Sequence, residues 1–489
     1  GYHWGFDWLA AILFKLLPIS SLNLYFRLLP LVMAFVLGVL SLWLGRVLTK
    51  RWLPGVIFVF LNFFAGSFGY WVTLIREGSV GGESLFWAMQ SISTLINPPF
   101  ALSLVILLLL LLVWHRVEKK GQLKWALVLG LGFASLALIK VYAGVVAGLG
   151  LAVFALLKRR RFDWLICLVA GSVSVLLLIW MGVWGGPSVL VFRPLWFPHT
   201  LVESLDKLYW PVVAVLRSNL QLQAFSWKLP FWLGLELFLV LVFLLGNMGT
   251  RILGLIAWLR VWRQKSDQNF HLLLSLILGF GLILPLLFVQ SGTSWNTIQF
   301  FYYFLFGANL YLALFLDRLW TGRRYWLFFL VLGLTIPTTL STLRGYLGNP
   351  PPASAPVAEV EGLTFLRQQS SGVVLTYPFD PYLKGSLKTP IPLYRYETTA
   401  YVSALSGQSS FMEDQMNLEI TNYPWQERKQ EMEKFFASSD SIWARGFLLN
   451  NQIDYLYLVD DQQFVLPASD LGLEMIFDNG PVRIYRVQR

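Results

Sequence analysis

Two titratable side chains near the start of the chain have the types and the spacing needed for acid–base chemistry. His3 and Asp7 are four residues apart in an aromatic segment, so on a helix they would share one face. An imidazole and a carboxylate on one face could accept a proton from a reacting group and return it. The alternative is that residues 4–17 form a helix in a membrane interface, whose polar face simply meets water.

A second candidate is Lys140, which separates two apolar stretches at 123–139 and 141–157. A lysine in such surroundings is energetically costly unless it is paired or reaches an interface. Its ammonium group could neutralise an anion such as a phosphate, or its stem could extend to water at a turn.

Polar residues of two other segments could also bind a ligand. The loop 185–228 places Arg193 and His199 among tryptophan and tyrosine rings, which suits sugar and phosphate groups but is equally typical of an interfacial aromatic belt. Asn296 and Gln299 stand at the start of an apolar segment, where they could either contact a substrate or cap a helix.

The spacing of potential ligands does not predict a metal or redox site. His199 and Glu203 are four residues apart, but two ligands leave a metal site open and no third has a fixed spacing. The single cysteine, Cys167, excludes an internal disulfide and a CxxC site. We therefore predict no certain cofactor, and a divalent metal is an alternative without support in this sequence.

The elements that carry these residues are mostly membrane helices. The 489-residue chain is 56% apolar and only 13% charged, whereas soluble domains have about 25% charged residues. Residues 350–489 contain 11 Lys and Arg against 17 Asp and Glu, so the net charge of +11 arises in the first 349 residues. This distribution does not predict nucleic-acid binding, because no stretch combines dense basic charge with high polarity.

Ten apolar segments are candidates to cross a bilayer. They lie at 24–46, 53–75, 98–115, 123–139, 141–157, 162–184, 229–247, 271–289, 298–317 and 325–343. Basic clusters occur in alternate loops, near 46–51, 115–124, 158–161, 251–265 and 318–324. Because such loops stay in the cytoplasm, the other loops and everything after residue 344 are predicted to lie outside it.

The proline-rich segment 349–356 predicts a stiff linker between two domains. Before it we expect a multi-pass domain over 1–348 that begins with an interfacial helix over 1–21, and after it a soluble α/β domain over 357–489. The tail predicts helices at 357–369, 425–437 and 441–450, strands at 372–377, 400–404 and 453–459, and a closing hairpin of 473–477 and 482–487. The fold class is therefore mainly α, a polytopic transmembrane helix bundle followed by a small extracytoplasmic α/β domain.

Several motifs resemble those of the GT-C membrane glycosyltransferases, which include the protein O-mannosyltransferases and the lipid A aminoarabinose transferase. Residues 2–11 (YHWGFDWLAA) and the RLLP and LGR motifs that follow are similar to one family segment. Residues 132–144 resemble a family hairpin that holds a lysine at the outer membrane face, and Asn97 stands where the family has the Asp of an LDP turn. The chain is also similar to a group of large bacterial membrane proteins of unassigned activity.

This resemblance implies a GT-C-like fold and transfer of a sugar from a polyprenyl-phosphate donor to a cell-envelope glycan, lipid or protein acceptor. It implies that His3 and Asp7 form one wall of the sugar-phosphate site, that Lys140 meets the phosphate, and that Asn97 replaces a carboxylate. The partners would be the lipid bilayer of the plasma membrane, the donor and an unidentified acceptor. Because the family motif begins at the first residues, we also expect an N-terminally truncated fragment.

Two other functions compete with this one. A non-catalytic membrane protein could keep the same scaffold, and Asn97 in place of an acid favours that reading. A transporter or lipid-linked-sugar flippase predicts charged residues at mid-bilayer and matched broken helices. The centres of the apolar segments are nearly free of charge, which counts against a transporter.

Overall fold

The chain forms two compact units, Gly1–Gly345 and Tyr346–Arg489. The computed structural model describes residues 4–180, 190–222, 227–264, 267–382, 388–420 and 423–489. The predicted fold class is confirmed, since a helical part with several membrane-capable helices is followed by a unit that contains a small sheet.

Helices make up almost all of the first unit. They are α1 (Gly5–Leu16), α2 (Ser21–Asn23), α3 (Leu29–Thr49), α4 (Leu53–Phe64), α5 (Gly69–Glu77), α6 (Gln90–Ile96), α7 (Pro98–Val117), α8 (Leu123–Ile139), α9 (Val141–Lys158), α10 (Arg161–Trp180), α11 (Trp196–Glu203), α12 (Pro211–Gln221), α13 (Leu229–Met248), α14 (Gly254–Arg263), α15 (Gln268–Leu287), α16 (Gln299–Thr321), α17 (Tyr325–Thr335) and α18 (Pro337–Gly348). Two short strands, β1 (Leu190–Phe192) and β2 (Phe288–Gln290), pair antiparallel.

Seven helical segments in the described part of the chain are long and apolar enough to cross a membrane, or up to nine if each of two bent pairs counts as one span. The seven are Ser21–Thr49, Pro98–Val117, Val141–Lys158, Arg161–Trp180, Leu229–Arg263, Gln268–Leu287 and Ser294–Thr321. The bent pairs are α4 with α5 and α17 with α18, and α8 is a shorter apolar helix. Each of the ten predicted segments overlaps one of these helices or pairs.

The segments predicted at 53–75 and 325–343 each contain a break between two helices. The axis bends by 48° between α4 and α5 and by 46° between α17 and α18. The second break precedes Pro337, which lacks an amide hydrogen and disfavours helical geometry at the residue before it.

The first break has no proline and is held by distant parts of the chain. The amide of Gly66 donates to the carbonyl of Thr335 at 2.8 Å, so the two breaks meet. The amide of Phe68 donates to the carbonyl of Gly246, also at 2.8 Å. Buried backbone groups that leave a helix need such partners, and these lie roughly 180 to 270 residues away.

The central helix of the first unit is α16, which is buried along most of its length. It packs against α4, α14 and α15, while α9 packs on α15 and α8 on α10. The small residues Gly45 and Gly55 let α3 and α4 approach closely, because a Cβ built on Gly45 would lie 2.2 Å from the nitrogen of Gly55.

The second unit is a three-layer α/β fold. Its elements are β3 (Ala353–Ser354), α19 (Val357–Arg367), β4 (Val373–Thr376), β5 (Ile391–Pro392), α20 (Leu393–Tyr396), α21 (Tyr401–Ser406), β6 (Ser409–Ser410), α22 (Gln415–Ile420), α23 (Gln426–Ala437), α24 (Ser441–Asn450), β7 (Ile453–Val459), β8 (Leu473–Asp478) and β9 (Val482–Val487). The main sheet has the order β6-β4-β7-β9-β8. The strands β6, β4 and β7 are parallel, and β9 is antiparallel to both β7 and β8.

Apolar side chains cover both faces of this sheet. One face packs against α19 and α21 through residues such as Leu363 and Val402. The other packs against α23 and α24 through residues such as Phe435 and Leu448. Alternate residues of β4 and β7 point to opposite faces, as a strand requires.

The strand predicted at 400–404 is wrong, since this segment begins helix α21. Both carboxylate oxygens of Glu413 accept backbone N–H groups at the start of this helix, from Val402 and Ser403 at 3.1 Å each. A negative charge at a helix N-terminus stabilises the helix. The local pattern of valine and tyrosine contains no sign of this distant carboxylate.

Candidate functional site

Lys140 lies at the turn between α8 and α9, in an extended conformation that ends one helix and starts the next. Its side chain is only 3% exposed, and its Nζ is 5.6 Å from the ring centroid of Tyr142. The turn is closed by backbone hydrogen bonds from Lys140 to Leu136 and from Ala143 to Lys140. A fully buried ammonium at the junction of two helices is a place where an anion could be held.

A chain of buried polar side chains continues from Tyr142. Its hydroxyl donates to Oε1 of Gln290 at 2.8 Å, and Nδ2 of Asn296 donates to the same oxygen at 3.1 Å. The amide of Gln299 donates to Oδ1 of Asn296. The structure therefore brings Lys140, Asn296 and Gln299 together with two residues that the sequence did not single out, and we call these five residues the Lys140 cluster.

Helix α1 begins beside the same turn. A Cβ built on Gly5 would lie 2.9 Å from the carbonyl oxygen of Leu138, so only glycine permits this approach. Asp7 lies on the exposed side of α1, and its carboxylate accepts a hydrogen bond from Tyr25. His3 lies outside the described residues.

Asn97 and Arg193 have local structural roles. The Oδ1 of Asn97 accepts the amide of Phe100 at 3.2 Å and so caps α7, which is a common role of asparagine at this position. Arg193 is exposed at the end of β1, and its amide donates to the carbonyl of Leu287.

His199 belongs to an ionic network among α11, α12 and α13. Its Nε2 is 2.6 Å from Oε2 of Glu236, whose other oxygen lies 3.7 Å from Arg217. Arg217 also contacts Glu203 at 2.6 Å. The network explains how an acid can be buried in α13, and it leaves His199 paired with Glu236 rather than with Glu203.

A narrow polar cleft beside the two helix breaks contains the carboxylate of Glu83. It is lined by Glu83, Ser67, Ser91, Thr338, Thr339 and Thr342, among others. Burial raises the pKa of Glu83, and a hydrogen bond with Thr342 opposes this effect. A carboxyl group with a raised pKa in a polar cleft is a candidate proton acceptor.

Helix α16 connects this cleft with the Lys140 cluster. Tyr302 contacts Ser93 and the backbone of Met89 and lies within electrostatic reach of Glu83. It is three residues after Gln299, so both side chains lie on neighbouring parts of one helix face. The two polar regions thus flank the first turns of α16.

Arg251 is fully buried where the two broken helices meet. Its guanidinium donates to the carbonyls of Ala65 at 2.6 Å and Gly66 at 3.0 Å, and to Oδ1 of Asn309 at 2.7 Å. Asn309 also donates to Gln90 at 2.8 Å. Because Asn309 is ten residues into α16, this network lies about 15 Å along that helix from its start.

The surroundings of Arg251 differ from those that the sequence suggests. The helical segment Leu229–Arg263 continues past the predicted span 229–247 and includes Arg251. Its charged side chain is buried among the helices rather than exposed. The sequence offers no sign of this, since an arginine soon after an apolar run looks like a loop residue.

An apolar cleft of about 300 Å³ lies beside Arg251. Its lining includes Leu244, Leu255, Trp258, Leu278, Leu282 and Phe304, from α13 to α16. Its surface is almost entirely hydrocarbon, which suits a lipid chain.

The described residues do not fit a metal ion. Within the described ranges, no group of three or more His, Cys, Asp or Glu side chains could hold one. The side-chain carbonyl oxygen of Asn97 serves as a helix cap.

No family model matches the chain, and no curated protein matches it in sequence. Among solved structures, it is similar to the oligosaccharyltransferase of Archaeoglobus fulgidus in the apo form, with a TM-score of 0.44 and 14% identity over 93% of this chain and 61% of that one. The same archaeal enzyme, AglB, in complex with an inhibitory peptide and a dolichol-phosphate gives a TM-score of 0.45 and 13% identity over 92% and 60% of the two chains. This chain therefore spans about three fifths of the length of those oligosaccharyltransferases.

Proposed function

We propose that this protein is a GT-C-type glycosyltransferase that moves a sugar from a polyprenyl-phosphate-linked donor to an acceptor outside the cytoplasm. The observation that carries the proposal is the Lys140 cluster, in which a buried ammonium lies beside a chain of amide and hydroxyl groups. The acceptor would be a cell-envelope glycan, a lipid or a protein.

The reaction requires a proton acceptor, a cation for the leaving group and a place for the lipid tail. The acceptor atom attacks the anomeric carbon, and the bond from this carbon to the phosphate oxygen breaks. The electron pair leaves with the phosphate, and the proton of the acceptor passes to a carboxylate.

We assign each of these functions to side chains or a cleft of the first unit. Lys140 would neutralise the phosphate, while Asn296 and Gln299 would orient the sugar. Asp7, with His3, would form one wall of the site and accept the proton, and Glu83 is a second candidate for this role because its pKa is raised. The apolar cleft between α13 and α16 would hold the polyprenyl chain.

The remaining predicted residues would act at the edges of this site. We propose that Arg193, exposed at the end of β1, contacts the donor. His199, held by Glu236, would contact the sugar or the acceptor, and Asn97 would position the start of α7 beside them.

The test is the substitution Lys140→Met, which keeps the apolar stem and removes the charge. Loss of one charge-assisted contact, worth about 1.5–3 kcal/mol, should lower turnover of a polyprenyl-phosphate sugar by roughly 10- to 150-fold. Lys140→Arg should restore part of the activity, because it keeps the charge on a wider, planar group.

The matched control is Lys124→Met, since Lys124 is exposed at the other end of α8. This variant should turn over donor at the wild-type rate. Equal activity of wild type and Lys140→Met would contradict the proposal, and absence of turnover in the wild type would favour a non-catalytic scaffold.

A flippase for a lipid-linked sugar is a second candidate, favoured by Arg251 and the two broken helix pairs. Charged residues at depth and interrupted helices are typical of transporters. The two functions can be separated in liposomes that contain a fluorescent polyprenyl-phosphate sugar. Transfer of the sugar without movement of the lipid between leaflets supports the transferase, and the opposite result supports the flippase.

A further inference from the structure

The two parallel strands at the edge of the sheet in the second unit are followed by connections on opposite faces. The chain leaves the carboxyl end of β4 toward the face covered by α19 and α21. It leaves the neighbouring parallel strand β6 toward the face covered by α23 and α24. Where adjacent strands send their connections to opposite faces, a crevice opens at their carboxyl ends, and ligands of α/β folds bind there.

A cleft of about 50 Å³ lies beyond the carboxyl ends of β4 and β6. Tyr377 and Phe379, directly after β4, line one side, and Met412 and Glu413, directly after β6, line the other. The cleft has room for about three to five non-hydrogen atoms, at 10–15 Å³ each. It could take the edge of a sugar ring with its hydroxyl groups, and it is too small to enclose a nucleotide cofactor.

The lining combines aromatic rings, hydroxyl groups and carboxylates. The rings are those of Tyr377, Phe379 and Tyr394, and the lining also includes Glu397 and Thr399. Among the residues that the structure describes, Oγ1 of Thr399 is buried and has no hydrogen-bond partner. A buried hydroxyl without a partner is costly, so a ligand that supplies one would bind favourably.

The charge of the cleft limits the ligand. Its described lining includes Glu397 and Glu413 but no lysine or arginine. The carboxylate of Glu413 is held by the start of α21, so it stays fixed at the rim. Carboxylates accept hydrogen bonds from hydroxyl and ammonium groups but repel anions, so this lining favours a neutral or amino sugar over an anionic one.

We infer that this cleft binds the terminal residue of a neutral or amino-sugar glycan. The apolar face of a pyranose would lie on the ring of Tyr377, whose face offers an apolar surface. Hydroxyl or amino groups of the sugar would donate to Glu397, and Thr399 would exchange a hydrogen bond with a hydroxyl group. The inference does not depend on the transferase proposal, because all of these residues belong to the second unit.

The test is saturation-transfer NMR of the full chain in lipid nanodiscs. The probes are glucose, mannose, galactose, N-acetylglucosamine and glucosamine, with glucuronate as the anionic comparison. We expect at least one neutral or amino sugar to receive saturation and glucuronate to receive at least fivefold less. Tyr377→Leu and the nearly isosteric Thr399→Val should each lower the signal at least fivefold.

The matched control is Tyr382→Leu, because Tyr382 follows the same strand, is 91% exposed and does not line the cleft. This variant should keep the wild-type signal. The inference is overturned if no sugar receives saturation, or if the signal survives both Tyr377→Leu and Thr399→Val.

Discussion

Removal of the Arg251 charge tests whether this side chain holds the break between α4 and α5. In Arg251→Met, the carbonyl of Ala65 keeps a hydrogen bond from Ser91 at 2.8 Å. The carbonyl of Gly66 and Oδ1 of Asn309 lose the arginine. Two buried acceptors without donors cost about 1–3 kcal/mol each, or about 2–6 kcal/mol together. Relief of the buried charge reduces this cost, so the figure is an upper bound.

The assay is hydrogen exchange of the full chain in nanodiscs. The amides of Gly66 and Phe68 are bonded across the break, so their exchange reports its opening. A loss of 2–6 kcal/mol corresponds to about 30-fold to 10⁴-fold faster exchange, since 1.4 kcal/mol is a factor of ten. Strand β7, in the other unit, should exchange at its wild-type rate.

Two further variants make this prediction sharper. Arg251→Lys keeps the charge but has one donor nitrogen, so it should give an intermediate rate. Arg260→Met removes an exposed arginine of α14 and should leave the exchange unchanged. If Gly66 and Phe68 exchange equally in wild type and Arg251→Met, the guanidinium does not hold the break.

Three other predictions concern the topology and the second unit. Alkaline phosphatase fused at residue 350 should be active, whereas a fluorescent protein that matures only in the cytoplasm should stay dark there; the reverse pattern would overturn the predicted topology. Residues 357–489 expressed alone should unfold cooperatively on heating, because they contain both apolar faces of the sheet, and aggregation without a transition would show that they need the rest of the chain. Burial raises the pKa of Glu359, although the hydroxyl groups of Tyr401 and Tyr457 donate hydrogen bonds to its carboxylate. The contribution of Glu359 to stability is complete below its pKa in the unfolded chain. This contribution is lost as the pH rises through its pKa in the folded chain. In urea unfolding of this fragment, Glu359→Gln should therefore gain stability relative to wild type as pH rises above about 4.5, and a relative loss over the same range would contradict the prediction.

The sequence predicted the elements whose signal is local. Runs of apolar residues identify the membrane-capable helices, because each must match the bilayer over its own length. The hairpin of β8 and β9 follows from alternating apolar residues around Asn479 and Gly480. Helix α24 and strand β7 also begin and end at the predicted residues. Lys140 could be chosen from sequence because its charge contrasts with the apolar stretches on both sides.

The features that could not be predicted depend on contacts between distant residues. Helix α21 requires Glu413, and the break after Phe64 requires Thr335 and Gly246. Gln290 belongs to the Lys140 cluster only because the fold brings it to the hydroxyl of Tyr142, about 150 residues earlier in the chain. The hydropathy pattern along the chain does not predict which distant residues pair in this way.

The sequence by itself determined which segments are apolar enough for a membrane and where the second unit begins to differ in composition. Only the tertiary structure decided where α4 and α5 separate, that Arg251 is buried, and that a cleft opens between β4 and β6. The physical reason is the range of the interactions. Burial of a long apolar segment depends on its own residues, whereas a buried polar group is stable only where another part of the chain supplies its partner.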